Sequence, residues 1–563
     1  MAKFLSKHKT IIFLLIIIVI ASFFRLWQLS VVPPGLYPDV AINGNEALDS
    51  LKNHNFKVFY PENNGREGLF IWLIALSFWI FGISVWSIKI VAAIIGILTV
   101  FGLYLLTKEL FSQSYENDSR LIALLASFFL AISFWHTIFS RLGFRAILLP
   151  FILVFSFYFL FRGLRTKKIR DFIFSGLIFG LGFYTYISFR MAVLIFPFVL
   201  IPYWFIYKKD YNPPTEGSSR YAGSSRLPTT SAHFSLRSEW APGLQKKFIL
   251  HISCFFLLAF IVALPIGIYF LQNPHDFIGR AAPISVFAAE NPAKEFGKSL
   301  ISHLGMFNFR GDPNWRHNFS GKPELFWPVG ILFLSGFIFS IKELIASLKN
   351  KNYSLFVVHC LLISWFFIML LPGILTSEGI PHSLRTIGSL PVVYIFAALS
   401  GWQIYQWFDK NTKHKRLLLF TAFLFLLMTG FVEFDKYFNK WGRNPEARNA
   451  FSVDYVKIGN FLNSLPEGTQ KYVIVNQPGV PVPWPTGIPM PAQTIIFIEN
   501  AKFGSPRSTY LLPENLNQIK TEKEGVIVPM RYDESLFAEI QQKFPQGEIQ
   551  EKDGIWLYKI NYK

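Results

Sequence analysis

The sequence predicts an all-α polytopic membrane protein in which about eleven helices cross the bilayer, with a small α/β domain at its C-terminal end. Three observations predict it. Hydrophobic residues fill 52% of the 563 positions and charged ones only 16%, against about 25% charged in soluble domains. Successive apolar runs reach the roughly 17–25 residues that a crossing needs. Beyond residue 433 that pattern stops, and short strand-like runs alternate with amphipathic helical ones.

The apolar runs lie near 10–30, 68–82, 86–107, 120–138, 145–161, 172–188, 191–207, 248–271, 325–341, 354–375, 386–407 and 417–433. Basic connections at 3–9, 162–170, 208–247, 342–351 and 410–416 mark the cytoplasmic side, because Lys and Arg are retained there. That topology accounts for much of the net charge of +19, so no nucleic-acid partner is inferred. Segments 3–9 and 162–170 then require an even number of crossings between them, yet an odd number of runs intervenes. The run 68–82 resolves the conflict. As a helix it is about 22 Å long, short of the ~30 Å hydrocarbon core, and it reads as a juxtamembrane helix on the outer side. About eleven crossings remain.

The start MAKFLSKHKT followed by IIFLLIIIVIASFF has no small-x-small cleavage site and reads as an uncleaved signal anchor. Cys254 and Cys360 both sit in apolar runs, so no disulfide framework is implied. Residues 208–247, rich in Ser, Pro and Gly, read as a disordered cytoplasmic loop. The membrane domain therefore covers 1–433, with a first outer loop at 31–85 and a long outer loop at 272–324. The domain 434–563 is placed outside by the odd crossing count. Its strands are expected at 472–475, 494–498, 525–529 and 555–560, with helices over 453–466 and 533–545.

Chemistry-bearing residues gather in the outer loops. Asp39, with Asn43, Asn45 and Glu46, follows the first span, where a carboxylate can take a proton from an acceptor while a lipid donor stays in the bilayer. Arg66 and Glu67 precede the short helix. Arg141 and Arg145 break the positive-inside pattern on an outer turn, and the planar guanidinium fork suits phosphate. Asp312, Arg316 and His317 lie in the long loop, and His382 and Arg385 in the turn 376–385. The histidine spacing matches no dedicated metal motif, so hydrogen bonding or packing is the favoured role for both.

The order of these motifs resembles the GT-C class of membrane glycosyltransferases, including the protein O-mannosyltransferase and aminoarabinose-transferase families. The residues that carry the resemblance are Asp39, GREGLF at 65–70, HTIFSRLGFRAILLP at 136–150, Gly311-Asp312 with Arg316-His317-Asn318, and Glu378-Gly379 with Pro381-His382 and Leu384-Arg385. It spans roughly 10–430. Two positions depart from it: Val40 follows Asp39 where many relatives have an acidic residue, and Gly68 follows Glu67 where aminoarabinose transferases have Lys.

The resemblance implies a polyprenyl-phosphate-linked sugar as donor and a lipid, protein or glycan as acceptor, at the outer face of a bacterial-type plasma membrane. It implies Asp39 as general base, in-line attack with inversion, and Arg141, Arg145 and Arg385 on the donor phosphate. Glu67 would orient the acceptor or hold a divalent ion if one is used. Glu46, Arg66, Asp312, Arg316, His317 and His382 are the remaining substrate-binding candidates. The competing class is a transporter or flippase for a lipid-linked saccharide. A structural subunit of an envelope assembly is the third.

Overall fold

The computed structural model describes residues 7–116, 118–209, 243–279, 282–411, 413–482, 487–520 and 523–560. The expected disordered loop 208–247 falls largely outside them. In chain order the first part contains α1 (Lys7–Leu26), α2 (Pro38–Asn53), the two-residue strands β1 (Phe59–Tyr60) and β2 (Arg66–Glu67), α3 (Leu69–Phe81), α4 (Val85–Phe111), α5 (Ser119–Ile132), α6 (Phe134–Leu142), α7 (Leu148–Thr166), α8 (Ile169–Leu181), α9 (Ile195–Lys209) and α10 (Gly243–Gln272). Then follow α11 (Pro274–Ile278), α12 (Pro292–Gly305), α13 (Trp327–Lys349), α14 (Tyr353–Ile374), α15 (Leu390–Asn411) and α16 (Lys415–Phe434), which a π-helical stretch continues over Asp435–Trp441.

Among the described residues nine helices are long and apolar enough to cross a membrane, and the pair α5–α6, bent by 57°, makes a tenth. The protein is therefore a multi-pass membrane protein. The crossing expected over 172–188 is not a continuous long helix. α8 has 13 residues and continues only as a 3-10 turn, Gly182–Tyr184, together about 26 Å. α3, also 13 residues, is about 20 Å long, and its last turns leave Leu76, Trp79, Ile80 and Phe81 exposed.

Buried ionic groups close the helix ends that this bundle breaks. The bend between α5 and α6 frees the carbonyls of Leu130 and Ala131, and both accept from the Arg25 guanidinium, at 3.2 and 2.7 Å. Ser133 caps α6 through the His136 N–H, and Glu433 accepts from the Phe134 N–H at 2.7 Å. Away from water every such end needs a partner. The core helices also approach closely: a side chain at Gly336 of α13 would overlap the Phe396 carbonyl of α15.

The C-terminal part holds α17 (Pro445–Ala450), α18 (Val453–Ser464), β3 (Gln470–Ile474), the hairpin β4 (Pro481–Val482) and β5 (Ile488–Pro489), α19 (Gln493–Phe503), β6 (Thr509–Leu511), β7 (Gly525–Pro529), α20 (Glu534–Lys543), β8 (Gly547–Lys552) and β9 (Ile555–Ile560). The main sheet has the order β6-β3-β7-β9-β8. β3 pairs parallel with β6 and β7, and β9 pairs antiparallel with β7 and β8. Alternation along the strands sends Val473, Val526, Val528 and Leu557 to the face covered by α18 and α19. Tyr472, Ile474, Ile527 and Tyr558 face α20. The expected strand at 494–498 is instead the start of α19. Its β-branched run looks strand-like, but Gln493 through Asn500 are buried all round, and a helix satisfies its own backbone there.

Candidate active site

The first loop places its acidic residues by local rules. Tyr37 adopts an extended conformation before α2, Pro38 fills the first helical position and Asp39 sits in the first turn, where negative charge opposes the helix dipole. Asn63, Asn64 and Gly65 all have positive φ and turn the chain from β1 to β2. From that turn the Asn63 amide donates to Asp39 Oδ1 at 3.0 Å. Arg66 then runs under α2, donating to Asn43 Oδ1 at 2.9 Å and Glu46 Oε1 at 2.6 Å. Burial pushes the Glu46 carboxyl up to about 7, against the pull of Arg66.

Asp39 and Asn43 open into a cleft of about 250 Å³. Its other walls come from four places far apart in sequence. The turn between α6 and α7 gives Phe144, Arg145 and Ala146, and Tyr186 follows from the break after α8. The loop after α12 gives Asp312, Asn314, Arg316 and His317. The turn after α14 gives Glu378, Gly379, His382, Leu384 and Arg385. Arg145 donates to Glu67 Oε2 at 2.9 Å and lies 5.4 Å from the centre of the Tyr186 ring. Arg316 stacks 4.2 Å over Tyr37. Arg385 is steadied by Thr376 Oγ1 at 2.8 Å and the Glu378 carbonyl at 2.7 Å.

Asp312 is the joint between the two loops. Its Oδ1 accepts from the Asn314 N–H at 2.8 Å, and its Oδ2 from the Ser383 N–H at 2.8 Å. Oδ2 also lies 3.1 Å from His317 Nδ1 and 3.8 Å from His382 Nδ1. Glu324, behind it, accepts from the Asp312 N–H at 3.0 Å and the Ser383 hydroxyl at 2.5 Å. Burial, then the charge of Asp312, raise the Glu324 carboxyl above the ordinary range. His303 of α12 closes the joint by accepting the His382 N–H on Nε2 at 3.1 Å. Burial lowers His303 to about 4, so it is neutral, and its Nδ1–H donates to the Ser299 carbonyl.

Asp312, His317 and His382 offer one carboxylate oxygen and two imidazole nitrogens within 4.8 Å of one another. That donor set suits a borderline divalent ion such as zinc. Glu67 stands apart from it, bound to Arg145.

The cleft thus gathers Asp39, Arg145, Asp312, Arg316, His317, His382 and Arg385. It does not gather Arg141, Arg66 or Glu46, and Glu67 reaches it only through Arg145. Arg141 is fully buried and donates to the carbonyls of Phe24, Trp27 and Val32, packed beside Tyr437 and Phe438. It closes the C-terminal end of α1, and phosphate would have to displace every one of those bonds. Arg66 braces α2 from below through Asn43 and Glu46. Sequence reasoning passed over Glu324, His303 and Tyr186. The one available signal was for Glu324, an acidic residue directly before a span. Tyr186 lay inside a run read as a continuous crossing.

The sequence signature of the dolichyl-phosphate-mannose-protein mannosyltransferase family matches residues 69–213. No curated protein sequence matches the chain. Its fold is similar to that of the crystal structure of ArnT from Cupriavidus metallidurans bound to undecaprenyl phosphate, with TM-score 0.53 and 10% identity, over 99% of this chain and 98% of that one. Weaker similarity links it to the Archaeoglobus fulgidus oligosaccharyltransferase in complex with Zn and sulfate (TM-score 0.44, 15% identity, 82% of this chain and 60% of that one). Another such match is the arabinofuranosyltransferase AftD from Mycobacteria (TM-score 0.43, 12% identity, 99% and 40%). The chain has the fold of the GT-C class of membrane glycosyltransferases. Within that class, the segment from α3 into α9 carries the mannosyltransferase-type signature.

Proposed function

We propose that this chain is a glycosyltransferase that moves a sugar from a polyprenyl-phosphate-linked donor to a hydroxyl or amine of an envelope acceptor, at the extracytoplasmic face. The observation that carries the reading is the meeting of one carboxylate from α2, Asp39, with three arginines from three other segments in one cleft. Support also comes from the undecaprenyl phosphate bound by the similarly folded ArnT.

In this reading Asp39 takes the proton from the acceptor as its oxygen or nitrogen attacks the anomeric carbon. The bond from that carbon to the phosphate oxygen breaks, and polyprenyl phosphate leaves with the electron pair. Such a base contributes about 10²–10⁴-fold. Arg145, Arg316 and Arg385 are the cations available to the departing phosphate, held in place before the reaction so that no reorganisation is needed. Asn63 fixes the Asp39 carboxylate. A divalent ion held by Asp312, His317 and His382 would supply further positive charge.

The test is sugar transfer by purified protein in lipid, with a panel of polyprenyl-phosphate sugars, for wild type and Asp39→Asn. Transfer or donor hydrolysis by wild type alone supports the reading. Transbilayer movement of the donor without turnover in either protein would replace it with a transport role.

A further inference from the structure

α2 is held from the side that the cleft does not use. At about 100° per residue, Asp39 and Asn43 share one face of the helix, and Gly44 and Asn45 lie on the opposite one. Among the described residues the hydrogen bonds on that opposite side come from α19 and the glycine that ends it. The Asn45 amide donates to the Gln493 carbonyl at 3.1 Å and to Gln493 Oε1 at 2.8 Å. Its Oδ1 accepts from Asn500 Nδ2 at 2.8 Å. Thr494 donates to the Leu36 carbonyl at 2.9 Å, just before α2 begins, and Lys52 in its last turn donates to the Gly504 carbonyl. Between them Gly44 is packed so closely that a Cβ there would lie 2.6 Å from the Phe497 ring and 2.7 Å from Ile88 of α4.

We propose that the C-terminal α/β unit sets the position of Asp39, with Asn45 as the positioning residue through which Gln493 and Asn500 fix the rotation and height of α2. The proposal rests on Asp39 being the acceptor's base. Apolar packing alone would let a short helix slide or rotate. A buried amide with both its donor and its acceptor engaged tolerates neither, because an unmade bond there keeps its full desolvation cost. Gly44 makes the register tighter, since one face of α2 must fit the Phe497 ring. The arrangement explains why a unit with no described residue in the cleft lining is packed against the helix that carries the carboxylate. A misplacement of about 1 Å is enough to cost ~10²-fold in rate.

The test compares full-length wild type with Asn45→Leu and, from the other side, Gln493→Ala. Amide hydrogen exchange of α2 is measured beside that of α4 and α15. The expected result is about tenfold faster exchange confined to α2. Transfer per donor-binding site should fall by about 10²-fold with donor affinity unchanged. Unaltered α2 exchange in both variants would overturn the proposal, as would a rise spread evenly over the membrane helices. If Asp39→Asn still transfers sugar, the base reading fails. The exchange result then reports separately on whether α19 holds α2.

Discussion

Asp39 and Arg145 sit in the same cleft but depend on it differently. Among the described residues the Asp39 carboxylate has Asn63 as its hydrogen-bond partner, so Asp39→Asn should leave folding intact and lower transfer by about 10²–10⁴-fold. Arg145 also neutralises Glu67, whose side chain is 3% exposed. Arg145→Ala should therefore lose donor binding and destabilise the protein by about 3–5 kcal/mol, the usual cost of stranding one member of a buried pair. Adding Glu67→Gln should recover thermal stability without recovering donor binding, which thermal unfolding and a binding isotherm together would check. Glu46 gives a pH signature. Its carboxyl rises to about 7 on folding, so the folded state binds its proton more tightly than the unfolded chain does. Stability should fall as pH rises from about 4.3, the ordinary Glu value, to about 7, and level off above. Thermal unfolding across that range should show the decline in wild type and a flatter profile in Glu46→Gln.

At the scale of elements, long apolar runs and alternating strands were legible because hydrophobic period reports burial directly. β7 and β9 fall on 525–529 and 555–560 as expected, and α3 is the short helix that the charge count required. The misreadings share a physical cause: tertiary partners that no local pattern announces. α19 is a helix because α2 and the sheet enclose it. α8 gives way to 3-10 geometry where a continuous span was expected. The site shows the same division. Residue types and their order pointed to Asp39, Arg145 and Arg385, which share the cleft. Arg141 carried the same signal as Arg145 four residues earlier, and only the path of α1 shows that it closes a helix end. Arg141→Gln should lower the unfolding temperature while leaving donor affinity per folded molecule unchanged. Arg385→Ala should do the reverse, and one binding-plus-melting experiment on both variants distinguishes them.

Over the whole molecule, the helix bundle and the C-terminal unit meet at the first loop. The bundle exposes apolar side chains on α1, α10, α13 and α16, as a lipid-facing surface must, whereas the C-terminal unit has a compact core on either face of its sheet. Among the described residues the cleft is lined by the bundle's loops and by α2, and α2 also packs against the C-terminal unit. We propose that these parts form one sugar-transfer site with Asp39 as its base. The most direct test is single-turnover transfer from a bound polyprenyl-phosphate sugar, comparing wild type with Asp39→Asn at matched donor occupancy. Donor binding should be equal in the two proteins, with product formed by wild type and slowed by at least about 10²-fold in the variant. Equal rates of product formation in the two proteins would contradict the proposal.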